Sequence, residues 1–69
     1  MRLGQAFGIN VRRLRKERGL SQEALAHEVD LAVTYVGQIE RGLRNPTLDV
    51  VEEFARVFGV DPLDLLHRT

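Results

Sequence analysis

The sequence predicts an all-α fold built from five short helices. Three observations lead there. Apolar residues recur at helical spacing, proline is absent between Met1 and Asn45, and no run alternates strictly enough to make a strand. With 69 residues the chain is expected to form one domain spanning 1–69, near the lower size limit for independent folding.

Phe7, Val11 and Leu14 fall at i, i+4 and i+7 and mark the inner face of a first helix from about Gln5 to Arg18. Gly19 follows where a left-handed residue ends helices. Ser21 is the N-cap of a second helix, about Gln22 to Val29, with Glu23 in its first turn and Leu25, Ala26 and Val29 facing inward. Leu20 and Leu25 have hydrophobic-staple spacing across that cap. Asp30 breaks the helix, since aspartate tolerates turn conformations better than most side chains. A third helix runs from about Val33 to Arg41, with Val36 and Ile39 buried and Gly42 at its end. Pro46 disfavours helix at Asn45, so Leu43 to Pro46 is a loop. Thr47 caps a fourth helix whose stripe is Val51, Phe54, Ala55 and Phe58, widened by Val50 and Val57 and closed by Gly59. Asp61 and Pro62 open a short fifth helix through Leu66 as N-cap and N1.

The chain has no cysteine, so no disulfide or zinc-thiolate site can staple the fold, and stability must come from packing, dimerisation or both. No apolar run reaches the roughly 18 residues of a membrane span, and the N-terminus lacks a signal-peptide core. A soluble, cytoplasmic domain without membrane contact is expected. His27 and His67 stand alone without clustered ligands, and no nucleophile–base pair or phosphate-cradling glycine loop occurs. Neither a metal, a cofactor nor an enzymatic activity is expected.

Net charge is zero but unevenly spread. Residues 1–45 carry eight basic and five acidic side chains, a net +3, and residues 46–69 carry two basic and five acidic, a net −3. A domain polarised in this way can turn its basic end toward phosphates, although a mixed, solvated surface has the same composition.

The informative stretch is Gly19 to Gly42. Two short helices joined by a turn of about three residues make a helix-turn-helix, here about residues 21–41. Ala26 is small where the helices cross, Leu31 can plug the turn, and Val36 and Ile39 anchor the second helix. Val33, Thr34, Gly37, Gln38 and Arg41 then share its outer face, which suits a major groove because it carries no acidic group to repel phosphate. Of the basic residues on the first helix, Arg13 is the one expected to reach phosphate.

Three blocks, VRRLRKERGLSQEALA, TYVGQIERG and RNPTLDVVEEFARVFGV, occur here in order. With them the chain resembles the Cro and phage-repressor type helix-turn-helix proteins, also called the xenobiotic-response-element family, over residues 7–66. The TYV, IERG and RNP elements are most similar to the controller proteins of restriction–modification systems. The resemblance implies a five-helix lambda-repressor-like DNA-binding domain. It places Gln22 at a position that donates to phosphate and braces the reading helix. Val33, Thr34, Gly37 and Gln38 fall at base-facing positions, and Tyr35, Arg41, Arg44 and Asn45 at positions used for the sugar-phosphate backbone. Arg15 and Glu40 match an ion pair tying the first helix to the end of the third.

The chain departs from the family pattern at several points. Val33 stands where a polar reader is common, Ala32 where a capping hydroxyl is common, and Asp30 where the turn usually has glycine. Gly37 lies inside the reading helix at a cost of about 1 kcal/mol relative to alanine.

The apolar residues Val50, Val57, Leu63, Leu65 and Leu66 exceed what one small interior hides, and a two-fold dimer interface is expected there, chiefly on the fifth helix. The expected function is transcriptional regulation by a homodimer on pseudo-palindromic double-stranded DNA, with RNA polymerase a further partner. The alternative is an interaction module of the same fold, such as an antitoxin or a coactivator-like adaptor.

Overall fold

The computed structural model describes residues 1–68 and contains α1 (Leu3–Glu17), α2 (Gln22–Val29), α3 (Val33–Glu40), α4 (Leu48–Phe58) and α5 (Pro62–Leu66). No strand occurs among the described residues. The first helix begins two residues before the expected start because Gln5 Oε1 accepts from the Arg2 backbone N–H at 3.0 Å. That bond satisfies one of the four donors a helix start leaves open. It ends as expected at a left-handed Gly19, φ 67°.

The long α1 lies against α3, α4 and α5, while α2 bridges α3 and α4. Phe7, Val11 and Leu14 from α1 meet Leu25, Ala26 and Val29 from α2, Val36 and Ile39 from α3, and the α4 stripe. The Phe7 and Phe54 rings meet edge to face with centroids 5.4 Å apart, a geometry their quadrupoles favour. Each large apolar side chain enclosed in this way contributes roughly 1.5–3 kcal/mol. Leu31 in the turn is half-buried against the same core, as its plugging role requires.

Two tight fits fix where α3 and α5 lie on α1. A Cβ at Gly8 would stand 2.1 Å from the Ile39 carbonyl oxygen, so α1 and α3 touch backbone to backbone. Asn10, 2% exposed, donates its amide to the carbonyls of Leu65 at 2.9 Å and His67 at 3.0 Å. It thereby satisfies carbonyls at the end of α5, where intrahelical partners run out.

The placement of α5 corrects one expectation. Leu65 is fully enclosed in the protomer core and takes no part in an exposed interface. Val50, Val57 and Leu66 are half-buried against the core, and Leu63 is 72% exposed. Leu48, 73% exposed, and Leu3 are among the further apolar residues that lie open and were not expected. Together with Pro46, Val51 and Leu66 they line an apolar groove beside the start of α1. No helix of the described residues is long and apolar enough to cross a membrane.

Candidate nucleic-acid interface

The α2–turn–α3 unit is held to α1 by one buried ion pair. Arg15 Nε donates to Glu40 Oε2 at 2.7 Å and Arg15 Nη2 to Glu40 Oε1 at 3.1 Å. Gln22 Nε2 donates to the same Oε1 at 3.1 Å, and Arg15 Nη1 reaches the Leu20 carbonyl at 2.9 Å. The Glu40 side chain is 2% exposed and Arg15's 12%. Charges this deep are tolerated because the fork is bidentate and the remaining lone pairs are used. The cluster joins α1, the start of α2 and the end of α3, as the resemblance implied for Arg15 and Glu40.

Turn and caps set the direction of α3. Ser21 Oγ accepts from the Ala24 N–H at 3.0 Å and fixes the start of α2. Asp30 adopts the left-handed conformation at φ 57°, the one non-glycine residue with positive φ among those described. Ala32 precedes α3 and offers no side-chain oxygen to its first-turn amides.

Above this base the outer face of α3 is open. Val33 is 42% exposed, Thr34 is exposed, and Gly37 and Gln38 are half-buried, whereas Val36 and Ile39 are enclosed. The Gln22 amide lies beside Gly37, where an added Cβ would meet it at 3.7 Å. Tyr35 is half-buried with its ring against the core and Arg44 over it. Arg44 also donates from Nε to Gln38 Oε1 at 2.8 Å. Asn45 is exposed and its Oδ1 lies beside Gly4, at the start of α1.

An open hollow of about 460 Å³ separates this face from α1, lined by Arg12, Arg15, Gln22, Val33, Thr34, Gly37, Glu40 and Arg41. Its outer rim is basic. Arg12 and Arg41 are exposed, and neither has a carboxylate within 4 Å among the described residues. The other arginines are differently engaged. Arg13, the expected phosphate ligand of α1, sits around the helix beside Val60, Asp64 and His67 and pairs with Glu17 at 3.3 Å. Arg12, one position earlier, is the α1 cation that borders the reading face. Arg56 pairs with Glu53, and that hydrogen bond holds the Glu53 carboxyl below its ordinary range. Arg12 and Arg41 thus leave positive charge at the rim of the α3 face, while Arg18, also without a carboxylate partner among the described residues, lies over the Phe58 ring at the end of α4.

A helix with an open, nearly uncharged face, rimmed by unpaired arginines and tied at its end to α1 and α2 through Glu40, is the geometry of a major-groove reader. The helix-turn-helix family model HTH_3 matches residues 11–65. The chain belongs to this family.

Similar members of HTH_3 come from restriction–modification systems. Control protein C.BamHI of Bacillus amyloliquefaciens is 48% identical over 64 residues, covering 91% of this chain and 79% of that protein. The crystal structure of the controller protein C.AhdI from Aeromonas hydrophila superposes with a TM-score of 0.84 at 40% identity, covering 90% of this chain and 94% of that one. The controller C.Esp1396I, solved as a tetramer with its natural 35-base-pair operator, superposes with a TM-score of 0.82 at 29% identity over 94% of this chain and 86% of that one. Asn10 and Gly8 had no part in the sequence-based site, and neither did Arg12. Gly8 seats α3 on α1, Asn10 seats the end of α5, and Arg12 supplies unpaired charge at the rim of the hollow.

Proposed function

We propose that this chain is a transcriptional regulator of the controller type, binding duplex DNA as a homodimer through α3. The observation that carries the reading is the open face of Val33, Thr34, Gly37 and Gln38 beside the unpaired Arg12 and Arg41. Val33 suits a thymine methyl, and Thr34 and Gln38 supply hydrogen-bonding groups for base edges. Arg12, Arg41, Arg44, Asn45, Gln22 and the Tyr35 hydroxyl would serve phosphates, which fix register without conveying sequence.

Dimerisation would use the open apolar residues Leu48 and Leu63, flanked by the half-buried Val50, Val57 and Leu66. A two-fold dimer sets two reading helices about 34 Å apart on one face of the duplex, so the operator would be pseudo-palindromic. The protein would act in the cytoplasm as a binding protein rather than an enzyme. Bound across a promoter it would exclude RNA polymerase, and bound upstream it would contact it.

Selection from random duplexes at about 0.15 M salt, followed by sequencing, tests this reading. The expected result is an enriched palindrome with half-sites about one helical turn apart. Arg41→Ala should weaken all duplexes alike, and Gln38→Ala should relax the preference at one position per half-site. An unenriched pool would overturn the reading and favour a protein-binding adaptor. Sedimentation of Leu63→Glu should show a shift from dimer to monomer.

A further inference from the structure

Arg44 lies in the loop beyond α3, and the loop folds it back over two residues of the reading helix. Its Nε donates to Gln38 Oε1 at 2.8 Å. Its guanidinium carbon stands 5.6 Å from the centroid of the Tyr35 ring. The planar guanidinium can satisfy both at once, bonding from its edge while its face covers the ring. An unrestrained glutamine amide reads adenine by accepting from N6 and donating to N7. When its oxygen is held by a neighbouring arginine, the plane of the amide is fixed and the NH₂ becomes the group left to face a base. Two donor hydrogens suit the paired acceptors of guanine, O6 and N7. The adenine amino group would have to compete with Arg44 for the same oxygen.

We propose that Arg44 determines which base Gln38 selects, by holding the Gln38 carbonyl so that the amide offers donors to guanine O6 and N7. This rests on the DNA-reading role proposed above for α3. Arg44 is a positioning residue, acting on specificity through Gln38, while its charge adds a separate, sequence-independent attraction to phosphate. Arg44→Lys divides the two effects. It retains the positive charge but has neither the in-plane Nε–H nor a flat face to lay on Tyr35.

The operator position read by Gln38 is the one whose preference disappears in Gln38→Ala. Duplexes carrying each of the four base pairs at that position are titrated with the wild type, Arg44→Lys, Gln38→Ala and the double variant. The wild type should favour guanine over adenine by roughly tenfold. Arg44→Lys should reduce that ratio at least threefold, a fall of about 0.7 kcal/mol in discrimination at 1.4 kcal/mol per decade. Its salt dependence should be unchanged, and in the Gln38→Ala background the same substitution should leave the four affinities in fixed ratio. Because Arg44 is exposed, its melting temperature should match the wild type. A wild-type preference for adenine, or an Arg44→Lys variant with intact base ratios, overturns the proposal while the reading role of α3 stands. Should Gln38→Ala leave every preference untouched, base reading by Gln38 falls and the proposal with it.

Discussion

The two helix pairs of this chain are built by different rules. In α4–α5, each local signal agrees with the structure. Thr47 Oγ1 accepts from the Val50 N–H at 3.2 Å, Gly59 turns left-handed at φ 69°, and Asp61 Oδ1 accepts from the Leu63 N–H at 2.9 Å with Pro62 in the first turn. In α2–α3 the start at Ser21 is equally regular, but the rest is not. Asp30 occupies a left-handed position that glycine would fill more comfortably, Ala32 leaves α3 without a side-chain cap, and Gly37 interrupts a helix of eight residues. Every departure lies in the turn or on the outer face. The cost is offset from outside the unit, by the Arg15–Glu40 fork and the backbone contact at Gly8. Local propensity yields where a surface faces a ligand, and tertiary contacts then hold the element in place.

That contrast can be broken by substitution. The largest effect should come from Arg15→Ala, which strands the Glu40 carboxylate and should destabilise the fold by about 3–5 kcal/mol in urea unfolding. Exchange protection of the α3 amides should fall before that of α4; simultaneous loss would mean that α3 has no special dependence on α1. Thr47→Ala should cost about 1 kcal/mol, as removal of a working N-cap does. In the reading half the sign should reverse. Gly37→Ala should raise stability by nearly 1 kcal/mol, since its Cβ meets only ordinary contact with Gln22, while operator affinity falls. Asp30→Gly should stabilise least, by roughly 0.5 kcal/mol, through relief of the left-handed backbone. If both of these substitutions destabilise as Thr47→Ala does, the two halves obey one rule after all.

Much of the fold was legible because its signals are local. The five helices follow from caps, glycines and apolar spacing, and their ends differ from expectation by two residues at the start of α1 and by one at the C-termini of α1 and α3. The misses share a cause. Asn10 looks like an ordinary polar residue until α5, some 55 positions later, arrives to place two carbonyls over it. Gly8 reads as a weak point in a helix, and its use appears only once α3 crosses there. Arg12 and Arg13 differ by about 100° around α1, and periodicity fixes the buried face better than it divides the exposed one. Leu65 lies in a helix of five residues, too short for any apolar period to show which leucine points inward. On α3 the outward set was readable because Val36 and Ile39 fix the opposite face, but the engagement of Gln38 by Arg44 depends on how a loop turns back.

The tie between Asn10 and the end of α5 also has a bearing on time. Most neighbours in this chain are close in sequence, but α1 lacks its final partner until residues 65 and 67 have been synthesised. Until then a growing chain keeps Asn10 hydrated and the Leu65 side of its core open, and the platform under α3 is incomplete. Joining residues so far apart in sequence is slower than joining neighbours, because loop-closure entropy is lost before the contact rewards it. Competent protein should therefore appear only once this contact has formed, not in proportion to the length already made.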